Sequence, residues 1–331
     1  MKGKRYAGMA PKGGYDLFGE SVLDVGLRPA RPFLKWAGGK GQLLPEIEAV
    51  MPSWVHSTDF TLVEPFVGSG AVLFWALNRY PRLTRAIIND VNEDLITTYR
   101  VIAKQPESLL KILDQMQRDY HAADGDATTQ KALYYHQRER YNSRNEDPCT
   151  RAALFIFLNR TCFNGLYRVN RSNHYNVPMG SYSKPTICDR ENILAVSQAL
   201  QRVEILNGDY RQTLQHANQP SLFYLDPPYK PLSATSSFNS YAKSEFGDEQ
   251  QSQLRDFCDE LHRQGHVWIL SNSDVRDSLP SPNPFFDDLY AAYTIRRVDA
   301  RRNINSNADK RGSLKELLIT NQTELVHDVA L

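Results

Sequence analysis

The chain lacks most of what would staple, anchor or export it. Its four cysteines (Cys149, Cys162, Cys188, Cys258) stand far apart without a Cys-x-x-Cys pair. That argues against a disulfide framework or a zinc site and for reduced thiols in a cytoplasmic protein, with no metal expected. No apolar run approaches the length of a membrane span, so no membrane association is expected. The start, Met1-Lys2-Gly3-Lys4-Arg5, is basic but no apolar stretch follows it, so no secretory signal is read. Excess charge is missing too. The formal net charge is +1, which gives no compositional sign of nucleic-acid binding and requires any such protein to concentrate its cations locally. Two stretches do so: Arg296-Arg297 and Arg301-Arg302 followed by Lys310-Arg311, and a looser group of Arg160, Arg168, Arg171 and Lys184. Taken alone, such runs read as solvated surface.

What is present is an ordinary globular composition, 41% hydrophobic and 23% charged over 331 residues, enough for one large α/β domain and a smaller one. Residues 1–31, rich in Gly, Pro, Lys and Arg, show no sustained period and read as a loose arm. From about residue 60 strands and helices alternate. Strands are expected at Leu62-Val63, Ala86–Asn89, Val203–Leu206, Leu222–Leu225, Val267–Leu270 and Leu317–Thr320. This order predicts an α/β fold with a doubly wound, mainly parallel sheet. Residues 97–200 interrupt the rhythm and read as an inserted, mostly helical recognition domain, leaving 32–96 and 201–325 as the catalytic domain.

Three clusters carry chemistry. Gly68-Ser69-Gly70 falls at a strand-to-helix turn, where glycine allows a tight bend and close approach of a ligand. Asp90 follows Gly70 by 20 residues, the spacing of a ribose-binding acid. The third glycine of the dinucleotide fingerprint is absent, which favours an adenosine ligand without a pyrophosphate. A plain turn, with Asp90 capping a helix, is the structural alternative. In Leu222–Tyr229 an apolar strand delivers Asp226, then Pro227, Pro228 and Tyr229. Proline restrains itself and its predecessor, so the Asp226 carboxylate and the Pro227 carbonyl form two fixed acceptors beside an aromatic face. That suits a planar ring bearing an amino group, such as adenine; a helix cap or proline turn is the alternative. Phe33–Lys40 adds an aromatic, two lysines and paired glycines before a helix, and reads otherwise as a surface turn anchored by Trp36.

Taken in order, these motifs resemble the Dam family of DNA adenine-N6 methyltransferases, its alpha group, from about residue 32 to 320. The resemblance is carried by Lys35-Trp36-Ala37-Gly38-Gly39-Lys40, Glu64-Pro65-Phe66-Val67-Gly68-Ser69-Gly70, Asn159-Arg160, Phe163-Asn164-Gly165-Leu166-Tyr167-Arg168, Asn176-Val177-Pro178-Met179-Gly180 and Asp226-Pro227-Pro228-Tyr229. Pro231–Thr235 and Ser271-Asn272 are similar as well. It implies a Rossmann-like S-adenosylmethionine-dependent fold. Trp36, Ala37, Gly38 and Lys40 would line the cofactor pocket, with Glu64, Pro65, Phe66, Gly68 and Gly70 beside the methionine part. Asp90 would bind the ribose, and Asp209 would lie near the cofactor's adenine. Asp226, also bordering the cofactor, and the Pro227 carbonyl would accept the two N6 hydrogens of a flipped-out adenine, with Pro228 fixing the turn and Tyr229 stacking on the ring. Lys35, Arg160, Phe163, Asn164, Leu166, Arg168 and Pro178 would meet double-stranded DNA. Arg168 would read a guanine, giving a target containing 5′-GA with GATC first; a phosphate clamp is the alternative. The stretch Arg301–Ser306 would be a rim loop near DNA. A monomer is expected, since one copy carries every part. Two rivals are an RNA or protein amino-methyltransferase of the same fold, which more often begins its catalytic motif with Asn, and an inactive DNA-binding regulator, which would need neither motif intact.

Overall fold

The computed structural model describes residues 28–36, 40–230, 246–276, 283–301 and 313–322. Ala37, Gly38, nearly all of the N-terminal arm, Pro231–Thr235 and most of the Arg301–Ser306 stretch lie outside the described residues.

Seven strands form one sheet: β1 (Phe60–Glu64), β2 (Leu83–Ile88), β3 (Val203–Ile205), β4 (Ser221–Leu225), β5 (Val267–Ser273), β6 (Thr294–Arg301) and β7 (Ser313–Thr320). Their order is β3-β2-β1-β4-β5-β7-β6. The first five are parallel, while β7 runs antiparallel to both β5 and β6. Residues of β1 and β4 are buried on both faces, as a helix-covered parallel sheet requires. Alternate residues serve different cores. Leu62, Leu222 and Tyr224 join one apolar cluster, whereas Val63, Phe223 and Leu225 join the other.

The first cluster contains α1 (Leu44–Glu48), α2 (Ala71–Arg79), α3 (Glu93–Lys104) and α7 (Arg190–Ala199), and continues without a break into the inserted helices α4 (Pro106–Ala122), α5 (Ala127–Ser143) and α6 (Pro148–Thr161). The helix α3 runs through residue 97. The second cluster is closed by α8 (Asp248–Arg263) and α9 (Phe285–Leu289). The helix starts have local causes. Asn92, Asp126, Asp147 and Asp189 accept first-turn backbone N–H groups, and Pro106 and Pro148 open their helices.

The six expected strands are present. The seventh, β6, was not legible because Arg296-Arg297 breaks its apolar alternation. Those arginines are neutralised rather than offered to a partner. Arg297 binds Asp274 at 2.9 Å and Asp287 at 2.8 Å, and Arg296 lies 3.5 Å from Glu46.

Strand order reverses between β1 and β4: β2 and β3 lie on one side, β5 and beyond on the other. Ligands of doubly wound sheets bind outside the carboxyl ends of the strands at such a switch point. Glu64 ends β1 and Asp226 follows β4, so the geometry puts both at that crevice.

Candidate active site

Asp226 is held from two sides. Lys40 Nζ lies 2.9 Å from its Oδ1, and the Ser271 hydroxyl at the end of β5 donates to the same oxygen at 3.0 Å. Oδ2 accepts from no described residue, and none donates to the Pro227 carbonyl. The turn behind is braced by α8 and β5: Gln251 donates to the Pro228 carbonyl at 3.3 Å and accepts from Asn272, and Ser273 donates to the Lys230 carbonyl at 3.0 Å. The Tyr229 hydroxyl donates to Glu316 on β7 at 2.6 Å and accepts from Lys40. Lys40 itself is buried, with its side chain 5% exposed. Burial pushes the Asp226 carboxyl above its ordinary range, and the Lys40 ammonium pulls it partly back.

Across the switch point, Glu64 is 3% exposed, and its Oε1 has no hydrogen-bond partner among the described residues. Burial raises its pKa well above the ordinary value, and the nearby Asp226 charge adds to the rise. Beyond it the glycine turn bends with left-handed backbone at Gly68 (φ 50°) and Gly70 (φ 73°). A side chain at Gly68 would approach the Trp36 indole at 3.2 Å, and one at Gly70 would lie 2.6 Å from the Tyr99 hydroxyl. Trp36 stacks on Tyr167 of the insert at 5.7 Å. The segment after β2 ties this turn down. Asp90 accepts from Gly68 N at 3.1 Å and from Asn92 N at 2.9 Å, so it tethers the turn; Asn92, not Asp90, caps α3. Val91 beside it is 68% exposed.

Sequence reasoning missed Asn89. It is 1% exposed and spans three segments: Nδ2 donates to the carbonyls of Pro65 and Gly208 at 3.0 Å each, and Oδ1 accepts from Gln212 at 2.8 Å. A polar residue closing an otherwise apolar strand was its only signal. Asp209 lies in the adjoining loop, but its carboxylate caps the following turn and pairs with Arg211 at 2.7 Å, which holds its pKa low. Phe66 packs on Tyr210 at 5.1 Å.

The insert presents a hairpin-like arm, residues 162–180, closed by bridges between Cys162 and Met179 and between Val169 and Tyr175. Phe163 (48% exposed), Asn164, Arg168 and Pro178 are exposed on it, while Leu166 is half-buried. The Arg168 guanidinium rests on the Asn176 side chain at 2.7 Å. Lys35 is brought to the base of this arm. Asn159 accepts from Lys35 N and donates to the carbonyls of Lys35 and Gly165, and the Lys35 ammonium lies 4.3 Å from the Tyr182 ring centre. Arg160 turns inward instead, donating to the Phe33 carbonyl at 2.7 Å.

A polar stripe on α5, also unforeseen, holds the arm's return segment by its backbone. Tyr134 donates to Val177 O at 2.7 Å, Arg138 reaches the same carbonyl at 3.3 Å, Asn142 pairs with both backbone groups of Tyr175, and Arg144, just past the helix, donates to Asn173 O at 3.0 Å. Arg144 also binds buried Asp94 on α3, where Arg151 and the Tyr141 hydroxyl converge.

A parallel sheet with one antiparallel strand near its edge, a glycine turn after β1 and an acid after β2 defines the Rossmann-like methyltransferase class. The comparison with known proteins narrows it. The model of the D12 class N6 adenine-specific DNA methyltransferases matches residues 36–304, and the chain belongs to that family. The Type II methyltransferase M.MjaIII of Methanocaldococcus jannaschii is 42% identical over 296 residues, covering 88% of this chain and 99% of its own. The DNA adenine methylases of Haemophilus influenzae and Escherichia coli K12 are 35% and 34% identical, covering 87% and 88% of this chain and 92% and 95% of theirs. The protein is therefore an adenine-specific DNA methyltransferase. Among the described residues no helix is long and apolar enough to cross a membrane, and no group of three or more His, Cys, Asp or Glu side chains could hold a metal ion.

Proposed function

We propose that the chain methylates N6 of an adenine flipped out of a short duplex sequence, using S-adenosylmethionine, at the site built on Asp226-Pro227-Pro228-Tyr229. The observation that carries this is the pair of acceptors to which no described residue donates, Asp226 Oδ2 and the Pro227 carbonyl, beside a Tyr229 ring fixed by Lys40 and Glu316.

The residues present fit the donor. A buried carboxylate with an unpartnered oxygen calls for a cation, and Glu64 would face the charged methionine end. Trp36 and Lys40, with Ala37 and Gly38 between them, would line the same pocket. Gly68 and Gly70 let backbone approach the ligand, Asp90 would accept from ribose hydroxyls, and exposed Val91 offers an apolar face to an adenine ring. The donor supplies an electrophilic methyl on a sulfonium.

The remaining work falls to the chain. The N6 lone pair of adenine is delocalised into the ring and is a poor nucleophile. Asp226 and the Pro227 carbonyl, accepting both N–H hydrogens, draw the nitrogen toward tetrahedral geometry and stabilise the positive charge that grows as the N6–carbon bond forms and the carbon–sulfur bond breaks. The surplus proton leaves N6 toward Asp226 and then solvent. Tyr229 holds the ring in line, which contributes through proximity. Because N6 is enclosed in the duplex, the base must leave the stack.

Residues 97–200 would read DNA, and 32–96 with 201–325 would carry the chemistry. The exposed hairpin supports this: Arg168 would take a guanine, Phe163, Asn164, Leu166 and Pro178 would surround it, and Lys35 would add a contact at its base. Arg160 would support the arm from inside. The resemblance of Asn164–Arg168 to the family's reading segment favours 5′-GA, with GATC first.

The test is methylation of a duplex DNA library, read at single-base resolution, by the wild-type protein and by Asp226→Ala. N6-methyladenine in one short motif, lost in the variant while donor binding persists, is expected. Normal turnover by Asp226→Ala would refute the site.

A further inference from the structure

Lys40 poses a problem that the catalytic reading leaves unsolved. An ammonium 2.9 Å from Asp226 Oδ1 competes for the carboxylate that must accept the N6 hydrogen, and it adds positive charge where positive charge has to develop. Among the described groups one carboxylate answers it from the other side. Glu316, on the antiparallel strand β7, has a side chain 20% exposed and an Oε2 only 3.8 Å from Lys40 Nζ. The same oxygen accepts from the Tyr229 hydroxyl at 2.6 Å, and that hydroxyl in turn accepts from Lys40. Glu316, Tyr229 and Lys40 thus close a triangle of contacts, joined to Asp226 through Lys40, that links β7 to the turn after β4.

We propose that Glu316 is a positioning residue for methyl transfer: it shares the Lys40 ammonium with Asp226 and fixes the Tyr229 ring through its hydroxyl. Asp226 then keeps its acceptor strength toward N6, and the cluster keeps a net negative charge for the cation that forms there. With Glu316 neutral, one ammonium and one carboxylate cancel, and Lys40 settles on Asp226. Lys40 stays buried at the pocket wall whether or not Glu316 is charged, and the remaining ground-state contacts to DNA and donor, the hairpin and the glycine turn, do not pass through Glu316, so the loss falls on the chemical step. The inference rests on the reading of Asp226–Tyr229 as the catalytic centre.

The test is single-turnover methyl transfer on duplex DNA carrying the target motif, with separate titrations of donor and DNA, for Glu316→Gln, Glu316→Asp and Asp226→Ala. Gln keeps an acceptor for the Tyr229 hydroxyl but removes the charge. The expected result is a rate loss of roughly 100-fold in Glu316→Gln, the scale of misplacing a reacting group by about 1 Å, with both dissociation constants within about twofold, a margin well under the tenfold that 1.4 kcal/mol represents, and partial recovery in Glu316→Asp. A wild-type rate in Glu316→Gln overturns the proposal. So does a loss of rate, both affinities and melting temperature together in both Glu316 variants, which would make the residue merely structural. Asp226→Ala separates the two levels: if it retains methyl transfer, the catalytic reading fails; if it is inactive while Glu316→Gln is normal, only the role of Glu316 fails.

Discussion

Asn89→Ala tests whether the donor pocket lies between the glycine turn and the Gly208 loop. The Asn89 side chain donates to Pro65 O and Gly208 O at 3.0 Å each and accepts from Gln212 at 2.8 Å, all from a position 1% exposed. Three hydrogen bonds, one buried and two partly buried, at about 1 kcal/mol each predict a stability loss of about 3 kcal/mol. That is within the usual margin of about 5–15 kcal/mol, so the variant stays folded at room temperature. The two carbonyls belong to loops on either side of Asp90, and binding must restore their positions. If half the lost energy is recovered only at that cost, donor affinity falls roughly tenfold, at 1.4 kcal/mol per decade. Urea denaturation gives the stability, calorimetric titration with S-adenosylmethionine gives the affinity, and the rate at saturating donor should stay within about threefold, since Asn89 touches no reacting atom. A stability loss near 3 kcal/mol with an unchanged donor affinity would refute the reasoning, because the pocket would then not depend on these loops.

How far the sequence alone reached depended on the kind of force involved. Strands buried on both faces, such as Leu222–Leu225, are continuous apolar runs and were legible, as were the glycine turn and the Asp226–Tyr229 motif, whose residue types are constrained by backbone geometry. The strand β6 was hidden because Arg297 is neutralised by Asp274 and Asp287 and Arg296 lies against Glu46, all 10 or more positions away, contacts that no local pattern encodes. Asn89, Glu316 and the α5 stripe escaped for the same reason. Each acts by a hydrogen bond to a segment distant in sequence, and polar residues on a helix read equally well as solvated surface. The Tyr134, Arg138 and Asn142 spacing marks one helix face, but only the fold reveals that the face grips backbone. Arg160 shows the opposite limit. Counted among cations for DNA, it spends its charge on the Phe33 carbonyl, where burial holds its pKa down.

The arm of residues 162–180 and the candidate active site yield three further predictions. Arg168→Ala should lose about 1–3 kcal/mol of discrimination at the guanine if the arginine reads a base, measured by methylation of single-substitution targets; a uniform loss on every sequence would make it a phosphate contact. The rate of methyl transfer should fall on acidification. Asp226 must be ionised to accept from N6, and burial has raised its pKa, so it protonates earlier than a free aspartate would. The acid limb of the rate–pH profile should therefore lie above the ordinary aspartate range and belong to the Asp226–Glu64 pair; a limb at or below that range would refute the buried-acceptor account. Arg144→Ala separates holding the arm from holding the fold. Arg144 joins Asn173 O on the arm, at 3.0 Å, to Asp94 on the helix that follows the Asp90 loop, at 2.7 Å. Without it Asp94 keeps Arg151 and the Tyr141 hydroxyl, so no uncompensated carboxylate is left buried, and the stability cost should be about 1–3 kcal/mol rather than the larger penalty of an orphaned charge. The arm loses a backbone anchor, whereas Asp90, Gly68 and Glu64 keep theirs. Affinity for target DNA should drop by about tenfold, the equivalent of 1.4 kcal/mol, with donor affinity unchanged, as read by fluorescence anisotropy and calorimetry. If the two affinities fall together, Arg144 supports the whole pocket, and the arm cannot be treated as a separately anchored reading element.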